Sequence, residues 1–261
     1  MSFIDLNKAD IHIKELDFMK RYPKELFCKG DIKLLDRKKV SIVGSRKPNQ
    51  YARQFTHELA FKLAQAGVCI VSGGAIGTDI IAHKAAGMTN TIMVAGTGLD
   101  KYYPAINKHV IKEIEKEGLV LSQFKIGTPS QRYNFPLRNE LIVALGEVLI
   151  VMYADENSGT MRSVEYAQKM GKEVYVLPHR LNESNGTNKL LQNAKAKAIY
   201  DIDKFISNFS DAKPKNTDDE FLIYCTTNPT YDEAATKFGS KVFEYELSGK
   251  IEILNGKIKI I

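Results

Sequence analysis

The chain has 261 residues, 44% of them apolar and 26% charged, so it can bury one sizeable core and still form a small second module. No run approaches the roughly 20 apolar residues of a membrane helix, and no secretion signal opens the chain. We therefore expect a cytoplasmic protein without membrane contact. Its three cysteines, Cys28, Cys69 and Cys225, are widely spaced, which excludes a disulfide framework or a zinc cluster. We expect neither a metal nor a cofactor.

The net charge is +6, and it is unevenly distributed. From Asn216 onward the chain carries five lysines against eight acidic residues, so the excess of positive charge lies before this point. A basic main domain favours a polyanionic partner such as nucleic acid. The charge does not identify that partner, because many basic proteins bind nothing acidic.

Short aliphatic and β-branched segments alternate with helical patterns along the first two hundred residues. Between the first two segments, Leu59 and Leu63 recur at helical spacing and Gly67 marks the end of the helix. This alternation predicts an α/β fold, an extended Rossmann-like parallel sheet with helices on both faces. The predicted strands are Lys39–Val43, Val68–Ser72, Thr91–Val94, Leu119–Ser122, Val148–Met152 and Val174–Leu177.

We expect residues 1–210 to form this Rossmann-like domain, with residues 1–35 as a short N-terminal extension packed on it. Residues 211–219 are polar, contain a proline and lack hydrophobic periodicity, which is typical of a linker.

Residues 220–261 have the pattern of a separate, small C-terminal winged-helix-like module. Helical patterns are followed by a hairpin pattern with Asn255 and Gly256 at the turn. The acidic balance of this module favours contact with a protein over contact with DNA.

The loop after the first predicted strand has the composition of an anion site. Gly44 permits close approach, Ser45 offers a hydroxyl, and Arg46 can bind a phosphate through two hydrogen bonds. The helix that follows adds free N–H groups at its N-terminus. The alternative is a surface turn that carries basic residues incidentally.

A glycine-rich loop follows the second predicted strand and includes Gly73, Gly74 and Gly77. A dinucleotide-binding site would have a GxGxxG motif after the first strand, and the chain has none there, so binding of NAD is disfavoured. The glycine-rich loop also does not fit the GxxxxGK[ST] motif, so the phosphate loop of an ATPase is disfavoured too. What remains is a phosphate cradle of backbone amides, in which Asp79 either caps the next helix or fixes the loop.

A third stretch, from Gln131 to Glu140, alternates arginines with aromatic residues before another helical pattern. Cations for phosphates and rings for bases are typical of single-strand binding, with Arg132 and Phe135 as the candidate pair. The alternative is that Phe135 belongs to the core and Arg132 is solvated.

Two further loops are expected at the same edge of the sheet. Asn157–Thr160 would form a supporting wall, and the polar segment Asn182–Asn188 would form a turn.

Taken together, the segments GSR (44–46), SGGAIGTD (72–79), FPLRN (135–139), SGT (158–160) and SNGTNKLL (184–191) resemble the DNA-processing protein A (DprA, or Smf) family. The resemblance covers about residues 20–205. It implies a homodimer that binds and protects single-stranded DNA taken up during natural transformation and helps to load the RecA recombinase. Binding of duplex DNA stays open. The DNA-binding residues that it implies are Gly44, Ser45, Arg46, Gly73, Gly74, Arg132, Phe135, Arg138 and Asn139.

The chain departs from the family pattern at three places. Glu140 stands where the family commonly has an arginine, and His179 stands where it has a glycine after Pro178. Arg132 stands where relatives carry lysine, a change that keeps the charge but alters the hydrogen-bond geometry. All three concern the detailed geometry of the site.

The alternative class is a nucleotide-processing enzyme, such as a nucleoside monophosphate hydrolase, that would use the same phosphate cradle. Its acid or base would have to be Asp79, His83 or Glu140. No catalytic triad order or nucleophilic cysteine setting is present, so we expect no catalytic residues and no enzyme. A scaffold for acidic protein surfaces is a third possibility.

Overall fold

The computed structural model describes residues 3–6, 11–209, 219–225, 227, 229–254 and 256–260. The chain divides into two compact units, Met1–Ser210 and Asp211–Ile261. Apart from Asp219, the predicted linker lies outside the described residues, as does Asn255 of the predicted hairpin turn.

In the described residues, the large unit is built on one nine-stranded sheet with the strand order β1-β2-β6-β5-β4-β3-β7-β8-β9. The seven strands from β3 to β9 are parallel, and β1 and β2 continue the sheet in antiparallel fashion beside β6. The strands are β1 Ile4–Asp5, β2 Phe27–Gly30, β3 Lys39–Val43, β4 Cys69–Ser72, β5 Thr91–Val94, β6 Leu119–Ser122, β7 Leu149–Val151, β8 Val174–Val176 and β9 Lys197–Ala198. The predicted α/β class is therefore confirmed, with the two antiparallel strands as an addition.

Among the described residues of the large unit, seven α-helices cover the two faces of this sheet. They are α1 Gln50–Gln65, α2 Thr78–Ala86, α3 Lys108–Glu117, α4 Asn134–Leu145, α5 Gly159–Lys169, α6 Asn185–Gln192 and α7 Ile202–Ser207. Alternate residues of a strand point to opposite faces, and β4 shows the result. Cys69 and Val71 pack in the layer that contains α4 and α5, while Ile70 packs in the layer of α1, α2 and α7.

The sequence of α1 explains its bounds. The Asn49 side chain accepts a hydrogen bond from the backbone N–H of Ala52 at 2.8 Å and so caps the helix. Leu59 and Leu63 are fully or almost fully buried. Gly67, with a φ of 83°, then redirects the chain into β4.

The polar segment Asn182–Asn188 was predicted to be a turn throughout. In the structure the turn is shorter, because α6 already begins at Asn185. Leu190, within this helix, is buried and packs in the hydrophobic core. The prediction was wrong here because it weighed the polar residues of the segment and not the leucines that follow them.

Strand β3 marks the point at which the strand order reverses, since β4 lies on one side of it and β7 on the other. Loops that leave the carboxyl ends of β3 and β7 diverge there and leave a crevice between them. The architecture thus places the loop after β3 opposite the start of α5.

The part of the small unit that the structure describes contains three helices and one antiparallel hairpin. They are α8 Glu220–Cys225, α9 Tyr231–Phe238, α10 Lys241–Leu247, β10 Ile251–Leu254 and β11 Lys257–Ile260. Its own core includes the fully buried Phe221, Val242 and Ile258. Thr230 and Glu233 cap α9 reciprocally. These helices and strands lie where the sequence predicts them, and their assignment as a winged helix stays a prediction.

Candidate functional site

A cavity of about 290 Å³ lies at the crevice beside β3. Four segments contribute to its wall: the loop after β3, the loop before α2, one face of α4 and the start of α5. Its lining residues are Val43, Gly44, Ser45, Arg46, Ala75, Asp79, Phe135, Arg138, Asn139, Ile142, Ser158, Gly159, Thr160 and Ser163.

The Phe135 ring is partly buried and borders this cavity and a smaller one of about 40 Å³. Two guanidinium groups approach the ring, with Cζ of Arg46 at 5.9 Å and Cζ of Arg138 at 5.8 Å from its centroid. The Tyr103 ring lies 5.5 Å away at an angle of 41°. A Cβ at Gly96 would lie 3.0 Å from the Phe135 ring, so the glycine leaves room for it.

Arg138 is held from within the protein. It is only 5% exposed, and its Nη1 donates to the carbonyl oxygens of Gly73 at 2.5 Å and Val94 at 3.0 Å. Burial lowers the pKa of Arg138, the Asp79 carboxylate raises it, and the neighbouring Arg46 lowers it. The two guanidinium groups therefore repel each other, and an anion between them would relieve that repulsion.

The glycine loop before α2 differs from the predicted cradle of free amides. The N–H of Ala75 donates to Asp79 Oδ2 at 3.3 Å, and the N–H of Thr78 donates to the Ser45 carbonyl at 3.1 Å. These two amide N–H groups therefore already donate to acceptors within the protein. Of the two readings for Asp79, the structure supports the one in which it fixes the loop.

The glycines of this loop serve close packing. A Cβ at Gly73 would lie 1.7 Å from Nη1 of Arg138, and a Cβ at Gly74 would lie 2.7 Å from Sδ of Met93. Gly73 borders the smaller cavity, whereas Gly74 lines neither. That Gly73 and Gly74 contact DNA stays a prediction. Gly74 does not border either cavity, so the structure gives no support for a contact through it.

The loop after β3 keeps donors available toward the cavity. Ser45 Oγ accepts a hydrogen bond from the backbone N–H of Lys47 at 3.0 Å, so its own hydrogen is left to donate. A Cβ at Gly44 would lie 2.5 Å from Oγ1 of Thr78, which explains why this loop can approach α2 so closely.

The structure brings together most of the residues singled out from the sequence. Gly44, Ser45, Arg46, Phe135, Arg138 and Asn139 share the main cavity. Arg132 is exposed in the loop before α4 and lines neither cavity. Phe135 is neither a fully buried core residue nor a free surface platform, because it is only partly buried.

Sequence reasoning gave too little weight to the start of α5. Ser158, Gly159, Thr160 and Ser163 all line the cavity, although this loop was expected only as a supporting wall. The sequence did indicate this role, because the Ser-Gly-Thr run lies between a strand and a helix and combines a glycine with hydroxyl residues, as the loop after β3 combines Gly44 with Ser45. Nothing in the sequence distinguishes Tyr103, which reaches Phe135 from a distant loop.

The three acid or base candidates are dispersed. Asp79 lines the cavity, and burial raises its pKa although Arg138 lowers it. His83 is fully buried and pairs with Thr91. Glu140 accepts from the backbone N–H of Lys20 at 3.3 Å and borders neither cavity.

Within the parts of the chain that the structure describes, no cluster of at least three His, Cys, Asp or Glu side chains is fit to hold a metal ion. In the same residues, no helix has the length and apolar character needed to cross a lipid bilayer.

Curated relatives are somewhat more than one third identical to this chain over the aligned residues. DNA processing protein DprA of Bacillus subtilis is 36% identical over 183 residues, which are 68% of this chain and 61% of that protein. Protein Smf of a Synechocystis species is 37% identical over 158 residues, or 59% of this chain and 40% of its own. The chain thus matches roughly 40 to 61% of the length of these relatives.

Two solved structures share the fold. DNA processing protein A of Helicobacter pylori, described with its single-stranded DNA binding mode, superposes with a TM-score of 0.77 and 44% identity, covering 80% of this chain and 95% of that one. DprA of Streptococcus pneumoniae superposes with a TM-score of 0.73 and 32% identity, covering 80% and 74%.

The family description "DNA recombination-mediator protein A" matches residues 7–210, which include every element of the large unit from β2 to α7. The match also contains all four segments that line the main cavity. With this match, and with the resemblance of its motifs to DprA and Smf confirmed by both comparisons, the chain belongs to the DNA recombination-mediator protein A family.

Proposed function

We propose that this protein binds single-stranded DNA by inserting one nucleotide unit into the cavity beside β3. The observation that carries the proposal is the Phe135 ring on the wall of a cavity of about 290 Å³, with the guanidinium Cζ atoms of Arg46 and Arg138 at 5.9 and 5.8 Å from its centroid. A ring can stack on any base, and guanidinium groups pair with phosphates. The volume lies near the lower end of small-molecule sites, roughly 300 Å³, and suits one nucleotide.

The charges in the cavity favour an anionic ligand. Of the described residues that line it, Arg46 and Arg138 are cationic and Asp79 is the one carboxylate. Arg46 is exposed, so its guanidinium can move toward a phosphate without breaking a core contact. A paired base within a duplex could not enter such a cavity, so duplex DNA would have to bind elsewhere.

The cellular role follows from the family. We propose that the protein acts in the cytoplasm, protects single-stranded DNA taken up during natural transformation and helps to load RecA onto it. A homodimer would place two cavities on one strand and raise the affinity through effective concentration. The function is one of binding, without catalysis.

The test is fluorescence anisotropy with oligo(dT) and with a duplex of equal length, over a series of salt concentrations. We expect tight binding of the single strand that weakens with salt, because phosphate contacts release counterions. Residues 1–210 alone should bind as the full chain does, since all four lining segments lie within them. Absence of oligo(dT) binding at physiological salt would overturn the proposal.

Light scattering at micromolar concentration tests the dimer. A monomer that still binds oligo(dT) tightly would contradict the bivalent account. Assembly of RecA filaments on oligo(dT) coated with a single-strand-binding protein, with and without this protein, tests the loading role.

One observation keeps the hydrolase alternative open. Asp79 lines the cavity, and burial raises its pKa, which is a property of many general bases. Incubation with AMP distinguishes the two functions, because a hydrolase would release adenine or phosphate and a binding protein would release neither.

A further inference from the structure

The start of α5 with its N-cap lines part of the cavity, and two of its hydroxyl groups have no hydrogen-bond partner among the described residues. Ser163 is 1% exposed, its Oγ is buried, and no described residue makes a hydrogen bond with it. Ser158 Oγ is in the same state. Buried hydroxyls without partners are uncommon in native proteins and call for an explanation.

The position of Ser163 makes this unusual. A serine inside a helix commonly donates to the carbonyl four residues earlier, which here is that of Gly159, yet this bond is absent. Ser158 occupies the N-cap position but its side chain makes no capping hydrogen bond. Both hydroxyls are therefore left to donate toward the cavity that they line.

The backbone adds to these two donors. The first N–H groups of an α-helix have no acceptor within the helix, and they carry partial positive charge. In α5 these groups belong to the Gly159–Thr160 turn, which also borders the cavity. A phosphate oxygen is the kind of acceptor that such a turn binds.

Two acidic residues precede the turn, and their positions bear on this point. Asp155 and Glu156 are exposed and border a surface hollow that Ser158 also borders, and they do not line the main cavity. Glu156 is also paired with Lys189 at 2.5 Å. The residues of α5 and its N-cap that line the main cavity thus include hydroxyl and amide groups and no carboxylate.

We propose that Ser158, Ser163 and the Gly159–Thr160 amides form a phosphate subsite, distinct from the guanidinium groups beside Phe135. This inference rests on the proposed function and adds an orientation to it. The base lies at the Phe135 end of the cavity, and the phosphate of the same nucleotide lies at the α5 end. The ligand class is a nucleotide phosphate, either the diester of a strand or a terminal monoester.

The central experiment compares Ser163→Ala, Thr160→Asp and the wild type. Ser163→Ala removes a hydroxyl that has no partner in the protein, so its melting temperature should be unchanged or higher, and alanine is the better helix former. Its affinity for oligo(dT) should fall about tenfold, as expected for a lost hydrogen bond to a charged group. Thr160→Asp should leave the melting temperature unchanged or higher through the helix dipole while it repels phosphate.

Ser122→Ala is the matched control. Ser122 is equally buried, but its Oγ donates to the Thr97 carbonyl at 2.7 Å and it borders neither cavity. This variant should melt lower and bind oligo(dT) as the wild type does.

Calorimetry with thymidine and dTMP isolates the phosphate. The wild type should prefer dTMP, and the preference should shrink in Ser163→Ala and Ser158→Ala. Oligo(dT) with and without a 5′-phosphate, and inorganic phosphate as competitor, distinguish a terminal phosphate from a diester. If the wild type binds oligo(dT) and Ser163→Ala binds it equally well with the same salt dependence, the subsite is refuted while the proposed function stands. If the wild type does not bind oligo(dT), the proposed function fails first.

Discussion

Replacing Phe135 by alanine distinguishes a base-stacking ring from a core ring, and the structure sets the size of each effect. The ring borders two cavities and is partly buried, with contacts to Tyr103, Arg46 and Arg138. An aromatic pair contributes about 0.5–1.5 kcal/mol, and a cation near an exposed ring about 0.5–1 kcal/mol. Since the ring already borders open space, its truncation should cost about 1–2 kcal/mol of folding free energy, below the roughly 3–5 kcal/mol of a fully packed Phe.

Phe135→Ala should also weaken the binding of oligo(dT). Stacking of a base on an aromatic ring contributes about 1–3 kcal/mol, so oligo(dT) binding should weaken by about 5- to 150-fold. The slope of log affinity against log salt should stay unchanged, because the ring carries no charge. The assays are anisotropy over a range of salt concentrations and thermal melting, in which 1–2 kcal/mol corresponds to a shift of about 2–8 °C for a domain of this size.

Phe205 provides the control. It is 5% exposed on α7, packs against Tyr175 and Phe209, and borders neither cavity. Phe205→Ala should cost about 3–5 kcal/mol of stability and leave binding intact while the protein is folded. A Phe135→Ala protein that melts as low as this control and binds oligo(dT) like the wild type would refute the stacking role.

Three further predictions concern charge, packing and pH. Arg46→Ala should lower the salt slope of oligo(dT) binding by about 0.7 with little change in melting temperature, since Arg46 is exposed; an unchanged slope would remove Arg46 from the phosphate contacts. Gly73→Ala should displace the Arg138 guanidinium, which would lie 1.7 Å from the new Cβ, and cost about 1–3 kcal/mol in denaturant unfolding; wild-type stability would contradict the packing. Burial lowers the pKa of His83 from 6.5 to about 3, so the unfolded state binds the extra proton and stability should fall by up to about 1.4 kcal/mol per pH unit as the pH drops from about 6.5 toward 3. His83→Gln should remove that component from urea titrations at several pH values, and an identical pH profile would refute it.

The parallel sheet could be predicted from the sequence because its strands are short, buried and mostly apolar. Lys39–Val43 illustrates this, since every residue of the strand is buried. Strands β1, β2 and β9 were not predicted. Strands β1 and β9 have two residues each, and the four residues of β2 are also too few to show a clear periodicity.

The candidate site was predictable wherever a motif places its residues next to one another in sequence, as for Ser45 and Arg46. It was not predictable where the role of a residue depends on a distant partner. Arg138 was expected among the DNA-binding residues, and the sequence does not show that the carbonyl oxygens of Gly73 and Val94 hold its guanidinium. Gly73 was expected to offer its amide to a phosphate, and the sequence does not show that it packs closely against that same arginine. Such pairings depend on tertiary packing, which a single sequence does not reveal.

The two ends of the large sheet affect how copies of the protein could associate. β1 and β9 are each two residues long, so each edge of the sheet presents very few unpaired backbone groups. Short edge strands hinder the addition of a strand from another molecule. A homodimer of this protein should therefore be joined through side chains of helices and loops, which would leave the sheets of the two copies separate and each cavity beside β3 intact.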